Sequence, residues 1–99
     1  MKGVPSYAGC VNMCDIKADD DAAVVKILRY QGAIPFVKSN MPQIFWNECE
    51  NHMWGIAQNP WCPTRSPGGS SGGEGGLICS RSSPIGVGTD VGGSLRYPA

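Results

Sequence analysis

The sequence predicts an α/β fold that is incomplete on its own, and three observations support this prediction. An amphipathic helical pattern leads directly into the short apolar segment Ala33–Val37, and a helix followed at once by a buried strand is typical of α/β proteins. Glycine dominates the C-terminal third, where it costs much backbone entropy and buries no side chain. A 99-residue domain also buries only roughly 60–65% of its extended surface. We therefore expect part of a mixed sheet flanked by helices, belonging to a larger domain.

The clearest local element is a helix that begins after the acidic run Asp19–Asp21. These carboxylates are expected to cap the helix and to favour the positive end of its dipole. Gly32 stands where a glycine commonly ends a helix. In the strand that follows, Pro35 lacks an N–H donor, which favours an edge position. The apolar residues that define the helical face are Ala23, Val24, Ile27 and Leu28, ending near Gln31.

The remaining segments carry weaker signals. Residues 1 to about 17 are predicted to be irregular. Asn40 as N-cap, with Pro42 in the first turn, predicts a second short helix that runs through Glu48. Asn51 to Pro67 is predicted to be a long irregular loop, and a loop of that length in a compact domain usually has a function.

Charge and composition exclude several classes of function. Eight basic and eight acidic residues cancel, and no run of like charge suggests a nucleic-acid surface. No apolar segment approaches the ~20 residues that a transmembrane helix needs. The five cysteines are irregularly spaced and odd in number, which favours reduced thiols over disulfides. Cys49 and His52 have the spacing of two metal ligands but lack a second pair, so no metal site is predicted.

Three glycine motifs in the C-terminal third resemble known sites without their context. Gly69–Gly73 matches the nucleophile-elbow pattern, but a loop precedes it and the single histidine lies upstream of the serine. The same run lacks the Gly-Lys-Ser/Thr tail of a phosphate-binding P-loop. Gly86–Gly92 places its third glycine one residue too far along for a dinucleotide-binding motif.

The serines of this region carry a different signal. Two Gly-Gly-Ser sequences place Ser70 and Ser94 24 residues apart. Glycines beside a serine allow several backbone N–H groups to converge on one point, which is the geometry of an oxyanion hole. Asp90 and Arg96 flank Ser94 closely enough to form an ion pair that would stiffen the loop. The alternative interpretation is a pair of tight turns that present solvated serines.

The combined pattern resembles the signature of the amidase family of C–N bond hydrolases. That signature is G-G-S-S-G-G followed, after a fixed gap, by G-x-D-x-G-G-S-[IL]-R-x-P; here these elements are Gly68–Gly73 and Gly88–Pro98. The helix–strand Gln31–Val37, the segment Lys38–Gln43 and Asn59-Pro60-Trp61 also have family counterparts, so the resemblance runs from about residue 17 to the C-terminus. Glu74 and Gln31–Phe36 resemble the fatty acid amide hydrolase branch more than the glutamyl-tRNA amidotransferase subunits.

The resemblance implies a role for each matching residue. Ser94 corresponds to the nucleophile, and Ser70 corresponds to the serine that relays a proton between the nucleophile and a neutral lysine. Ser71, Asp90 and Arg96 correspond to supporting positions. The backbone N–H groups implied to form the oxyanion hole are those of Val91, Gly92, Gly93 and Ser94.

The sequence departs from the family pattern at the base. The family's lysine lies on a short apolar strand that would fall a few residues before Met1, so the catalytic lysine is expected to be absent. Lys2 is the nearest candidate, but it lacks the apolar lead-in. Lys17 and Lys26 are expected to be solvated.

These expectations define one partial amidase-signature domain, residues 1–99, whose signature motif occupies residues 68–98. The resemblance implies an amidase-type hydrolase of carboxylic amides, including fatty acid amides, that is inactive as an isolated piece. The alternative is a non-catalytic binding or regulatory remnant, with Val24, Ile27 and Leu28 among its exposed apolar residues. The expected ligand is a small-molecule amide, with no cofactor, no metal and no nucleic acid. The resemblance also allows a homo-oligomer of the full protein. An intracellular location is expected, either cytoplasmic or membrane-associated through segments outside this chain.

Overall fold

The computed structural model describes residues 1–46 and 48–99, which form two compact units. Unit 1 comprises residues 1–7 and 11–38, and unit 2 comprises residues 8–10 and 39–99. Unit 1 contains a 3₁₀ turn, Val11–Met13, and helix α1, Ala23–Tyr30. Unit 2 contains a second 3₁₀ turn, strands β1 and β2, and helix α2; their bounds are Gln43–Phe45, Glu50–Asn51, Gly55–Ile56 and Gly72–Cys79. The predicted α/β class is confirmed, with two α-helices and one two-stranded sheet in the described residues.

Helix α1 begins later than predicted, and its acidic run does not cap it. Its N-cap is Ala22, no side chain caps it, and its first turn contains no acidic residue. The carboxylates are engaged elsewhere, because Asp20 pairs with Lys26 and Asp21 pairs with Arg29 at 3.0 Å. The carboxylate of Asp21 also accepts the backbone N–H of Lys2 at 2.6 Å. The capping prediction was therefore wrong, since charged partners on unit 1 hold these oxygens.

The C-terminus of α1 ends as predicted. Gly32 has φ +92°, the left-handed region in which glycine avoids a Cβ clash. The Gly32 N–H donates to the Arg29 carbonyl at 3.0 Å, and the Ala33 N–H donates to the Leu28 carbonyl at 2.9 Å. These two bonds form a complete Schellman motif, which satisfies carbonyls that the last helical turn leaves without intrahelical partners.

The apolar face of α1 and the segment that follows it are exposed. Ile27 is 58% exposed, and α1 contains no buried residue. The strand predicted at 33–37 is absent: these residues join no ladder, and Ile34 is 83% exposed. Strand formation requires a neighbouring strand for the backbone hydrogen bonds, and the described residues supply none for this segment.

The predicted second helix at 40–48 is also wrong. Among the described residues of this segment, 40–46 and 48, only a 3₁₀ turn forms; Pro42 precedes it, and Ile44 and Phe45 have positive φ angles of 52° and 61°. The Asn40 side chain does not cap this turn. Its amide donates to the Gly55 carbonyl at 3.1 Å, and its oxygen accepts from the Asn51 amide at 2.6 Å.

A short hairpin begins at Glu50, one residue before the segment predicted to be an irregular loop, and continues into that segment. Strands β1 and β2 pair antiparallel, with Glu50 opposite Ile56 and Asn51 opposite Gly55. The buried Asn51 side chain organises the turn, since its oxygen accepts the N–H groups of Met53 and Trp54 at 3.0 and 2.9 Å. The loop prediction therefore overlooked an Asx-type turn, in which a side-chain oxygen replaces a backbone acceptor.

Helix α2 was not predicted, because four of its eight residues are glycine. Close packing explains these glycines. A Cβ on Gly72 would lie 2.6 Å from the Cβ of Cys49, and one on Gly73 would overlap the backbone of Asn40. A Cβ on Gly75 would lie 2.9 Å from Pro98. Neighbouring segments therefore leave no room for a side chain at Gly72, Gly73 or Gly75.

Neither α-helix in the described part of the chain is long and apolar enough to cross a membrane.

Candidate active site

A cleft of about 920 Å³ in unit 2 contains both signature serines. Ser70 and Ser94 line it together with Val91 and Gly92, two of the residues predicted to form an oxyanion hole. Its apolar lining was not predicted and has no periodic signal in the sequence, because it comes from the irregular 3₁₀ turn and the residues around it. These lining side chains are Ile44, Phe45, Trp46 and Tyr97.

The segment before α2 connects the two serine motifs. Ser70 is only 4% exposed and follows a cis Gly69–Ser70 peptide bond. The backbone N–H of Ser71 donates to the carbonyl of Ser94 at 3.0 Å. The hydroxyl of Ser71 accepts the Thr89 N–H at 3.2 Å and lies 3.3 Å from the Thr89 carbonyl, to which it donates. Ser71 is therefore hydrogen-bonded to both Thr89 and Ser94, while its role as a supporting residue stays a prediction.

Asp90 organises the loop that carries Ser94. Its carboxylate accepts the backbone N–H groups of Gly93, Leu95 and Arg96 at 2.8, 3.0 and 3.0 Å. The Arg96 guanidinium donates to the same carboxylate through Nε at 3.0 Å and Nη2 at 2.8 Å. This fork and the backbone donors hold the pKa of Asp90 far below its usual range, and the carboxylate raises the pKa of Arg96. The predicted Asp90–Arg96 ion pair is therefore present.

The hydrogen bonds of this loop distinguish the four predicted oxyanion donors. The N–H of Gly93 is used by Asp90, whereas within residues 1–46 and 48–99 no acceptor is hydrogen-bonded to the N–H of Val91, Gly92 or Ser94. Gly93 has φ +133°, and a Cβ there would overlap the ring of Tyr97. Gly93 therefore has a structural role in the loop, while the convergence of the other donors on a substrate oxygen stays a prediction.

Two further glycines bring the loop onto α2. A Cβ on Gly88 would lie 3.1 Å from the Ser71 hydroxyl and close to Leu95, and one on Gly86 would overlap the carboxylate of Glu74. Glu74 accepts the N–H of Val87 at 3.0 Å. The sequence contained these glycines, but only the tertiary contacts show that they allow the loop to approach α2.

The four lysines of the chain differ in their surroundings. Lys26 pairs with Asp20, and the amine of Lys38 donates to the Pro5 carbonyl and the Ser6 hydroxyl, both at 2.7 Å. Partial burial lowers the pKa of Lys38. Lys2 and Lys17 are exposed, and the described residues provide no hydrogen-bond acceptor for either amine.

No group of three or more His, Cys, Asp or Glu side chains in the described residues could hold a metal ion. Of the two residues with metal-ligand spacing, His52 is exposed and Cys49 is buried. The Cys49 thiol donates to the Asn40 carbonyl at 3.0 Å, and burial raises its pKa. None of the five cysteines, all of which lie in the described residues, forms a disulfide.

Comparison with known proteins identifies relatives along the whole chain. The amidase family model matches residues 1–99, so the likeness begins earlier than the residue 17 expected from the motifs. The chain is 48% identical to fatty-acid amide hydrolase 1 of Sus scrofa over 99 residues, covering 99% of this chain and 17% of that protein. It is 44% identical to amidase 1 of Gibberella moniliformis over 100 residues, covering 100% of this chain and 19% of that protein.

A solved structure supports the same conclusion. One subunit of the glutamyl-tRNA(Gln) amidotransferase from Thermotoga maritima superposes with a TM-score of 0.83 at 28% identity, covering 99% of this chain and 22% of that protein. The identity to the fatty-acid amide hydrolase is higher, in agreement with the predicted branch. The chain thus spans less than a quarter of the length of these relatives. With a family match over its whole length and both signature serines in one cleft, this chain belongs to the amidase family.

Proposed function

We propose that this chain provides the serine half of an amide-hydrolysing site, with Ser94 as the nucleophile and Ser70 as the proton relay. The observation that carries the proposal is the shared cleft, which both serines line. The Ser71–Ser94 backbone hydrogen bond supports it, because this bond holds the two serine segments together.

The chemistry follows from these positions. Ser94 Oγ attacks the amide carbonyl carbon while its proton passes through the Ser70 hydroxyl to a neutral lysine amine. The oxyanion is stabilised by backbone N–H groups, for which Val91, Gly92 and Ser94 are the available donors in the described chain. The amine leaves with a proton, an acyl-Ser94 ester remains, and water hydrolyses it to a carboxylic acid.

The proposed substrates are small carboxylic amides, with fatty acid amides among them. The aliphatic and aromatic cleft residues Ile44, Phe45 and Trp46 support an apolar acyl group beside the serines. The names of the relatives, which include fatty-acid amide hydrolases and amidases, support the same class.

The base is proposed to be a lysine from outside the 99 residues, so that the isolated chain is inactive. Lys2 is the alternative within the chain. The contacts favour Lys2 over Lys26 and Lys38, because those two lysines already have partners.

A non-catalytic binding role is the second candidate function. It is favoured by the exposed apolar face of α1, on which Val24 and Ile27 are 46% and 58% exposed. Co-purification of the 99-residue chain with a full-length relative, in the absence of amidase activity in any context, would support this role.

A graft tests the catalytic proposal. This chain would replace the matched segment of Sus scrofa fatty-acid amide hydrolase 1, and hydrolysis of a fatty acid amide would be measured beside labelling by a fluorophosphonate probe. We expect an active chimera in which Ser94→Ala abolishes both signals and Ser70→Ala lowers turnover by about a hundredfold or more. Ser82→Ala, which removes an exposed hydroxyl outside the cleft, serves as the matched control.

The same chimera identifies the base. If Lys2→Met leaves activity intact, Lys2 is not the base, as expected for a base outside the 99 residues. If Lys2→Met abolishes activity, Lys2 is the base, and labelling of the isolated chain should then also depend on it. A folded chimera whose labelling survives Ser94→Ala would contradict the nucleophile assignment.

A further inference from the structure

Glu74 connects two segments of unit 2 through its carboxylate. It is the third residue of α2 and is partly buried. Its Oε2 accepts the hydroxyl of Ser39 at 2.7 Å, and its Oε1 accepts the backbone N–H of Val87 at 3.0 Å. A carboxylate forms stronger hydrogen bonds than a neutral acceptor, and the first turn of a helix favours negative charge.

The segment that Glu74 holds leads directly into the loop of Ser94. Gly86 passes so close that any Cβ there would overlap the Glu74 carboxylate. Two residues after Val87, Thr89 is held by the hydroxyl of Ser71 and lines the cleft. The side chains of Ser71 and Glu74, near the start of α2, therefore bind alternate residues of the segment that leads to Ser94.

The downstream part of the loop is organised separately. Asp90 binds the N–H groups of Gly93, Leu95 and Arg96, which shapes the turn around Ser94 but does not attach it to α2. The attachment to α2 comes from Ser71 and Glu74. Of these two, Ser71 is part of the signature, whereas Glu74 has no assigned role.

We propose that Glu74 is a positioning residue that holds the nucleophile loop, residues 87–94, against α2. This inference rests on the proposed function for its catalytic consequence, because Glu74 acts through the loop rather than on the substrate. It also explains why a charged residue lies in the first turn of an otherwise uncharged helix.

Backbone hydrogen exchange in the full 99-residue chain tests the positioning directly. Glu74→Ala is expected to accelerate exchange at Thr89 and Gly93 by about tenfold, while Ser80 at the end of α2 changes by less than about twofold. Glu74→Gln is the conservative variant. Its oxygen can accept the Val87 N–H and its amide can donate to the Ser39 hydroxyl, so exchange within about threefold of the unmodified chain is expected.

Ser39→Ala is the matched control, because it removes one partner of Glu74 and leaves the Val87 bond intact. It is expected to have a smaller effect on Thr89 and Gly93 than Glu74→Ala. Equal acceleration at Ser80 in the Glu74→Ala chain, or no acceleration at Thr89 and Gly93, would overturn the proposal.

Kinetics of the chimera provide the second measurement. Glu74→Ala is expected to lower kcat by about tenfold with KM nearly unchanged, and Glu74→Gln should restore most of the loss. A fall in active protein at unchanged kcat would show a merely structural role and would overturn the inference. If the chimera with the unmodified segment is inactive, the proposed function fails, and hydrogen exchange still decides the role of Glu74.

Discussion

Helices α1 and α2 have the same length of eight residues but are held by different forces. Helix α1 has an apolar face and two ion pairs to the acidic run before it, Asp20–Lys26 and Asp21–Arg29. Helix α2 has four glycines and little side-chain surface, yet Cys49, Asn40 and Pro98 lie close against it. Local sequence favours α1, whereas tertiary packing determines α2.

The two helices also differ in burial and in their relation to the serines of the cleft. Helix α1 buries no residue, while Ser70, two residues before α2, is nearly inaccessible and Glu74 in the first turn of α2 accepts the N–H of Val87. A glycine-rich helix costs free energy relative to alanine, so its neighbours must compensate for poor intrinsic propensity. The glycines of α2 thus lower its intrinsic helix stability but allow neighbouring backbone segments to pack closely against it.

The largest effect is expected from Gly73→Ala. By propensity alone this change would stabilise a helix, but the new methyl group would overlap the backbone of Asn40. We expect a loss of about 3 kcal/mol in the unfolding free energy of unit 2, measured by hydrogen exchange. The control is Gly76→Ala, because its methyl group would meet only the Gln58 carbonyl at 3.8 Å. The unfolding free energy of that variant should rise by up to about 1 kcal/mol. A change of the same sign in both variants would show that packing does not determine α2.

A pH titration tests the hydrogen bonds that Asp90 forms within the Ser94 loop. The lowered pKa of Asp90 means that its stabilising effect is complete above the ordinary carboxyl pKa of about 3.9 and is lost as pH falls below that value. Exchange protection at Gly93 should therefore be constant from pH 7 to about 5, after correction for intrinsic exchange, and should decline below about 4. In the Asp90→Asn variant, the Gly93 amide should be less protected at every pH and should show no decline below about pH 4. A decline centred near pH 6 would point to another titrating group.

A moderate effect is expected from Gly32→Ala at the end of α1. No atom lies within 4 Å of the added methyl group, so the cost is backbone strain alone. We expect α1 to lose about 1 kcal/mol, measured by exchange of the Ala33 amide, because alanine disfavours the left-handed region. Gly32→Asn should cost less, since asparagine tolerates that conformation better. A loss as large as that of Gly73→Ala would remove the contrast between the helices.

The smallest effect is expected from Lys26→Gln. Both members of the Asp20–Lys26 pair are exposed, at 68% and 54%, so water and salt screen their attraction. The variant should destabilise α1 by less than about 0.5 kcal/mol in low salt and by nothing measurable in 1 M salt. Circular dichroism at the two salt concentrations would measure this difference, and a salt-independent loss would indicate packing by the lysine side chain instead.

Several features were predictable from the sequence because they depend on neighbours along the chain. Helix α1 and its Gly32 terminus follow from periodicity and from the conformational freedom of glycine. The Asp90–Arg96 pair joins residues only six apart. The amidase family follows from the residue types and spacing of the signature, which the family match confirms.

Other predictions failed where distant segments decide the outcome. The strand at 33–37 has suitable apolar residues but no hydrogen-bonded neighbour in the described chain. Asn40 was expected to cap a helix, yet its side chain is hydrogen-bonded to the Gly55 carbonyl and to the Asn51 side chain. Helix α2 was not predicted, because a glycine-rich sequence indicates turns. Only the contacts with surrounding segments show why a helix forms there.

The sequence by itself determined the family, the two signature serines and the helix α1, because each is encoded in residue type and local spacing. Tertiary structure alone decided that Ser70 and Ser94 line one cleft. It also decided that five glycines lie at close contacts between segments: Gly72, Gly73, Gly75, Gly86 and Gly88. The physical reason is that close backbone packing and shared hydrogen bonds join residues far apart in the chain, and no local pattern reports such distances.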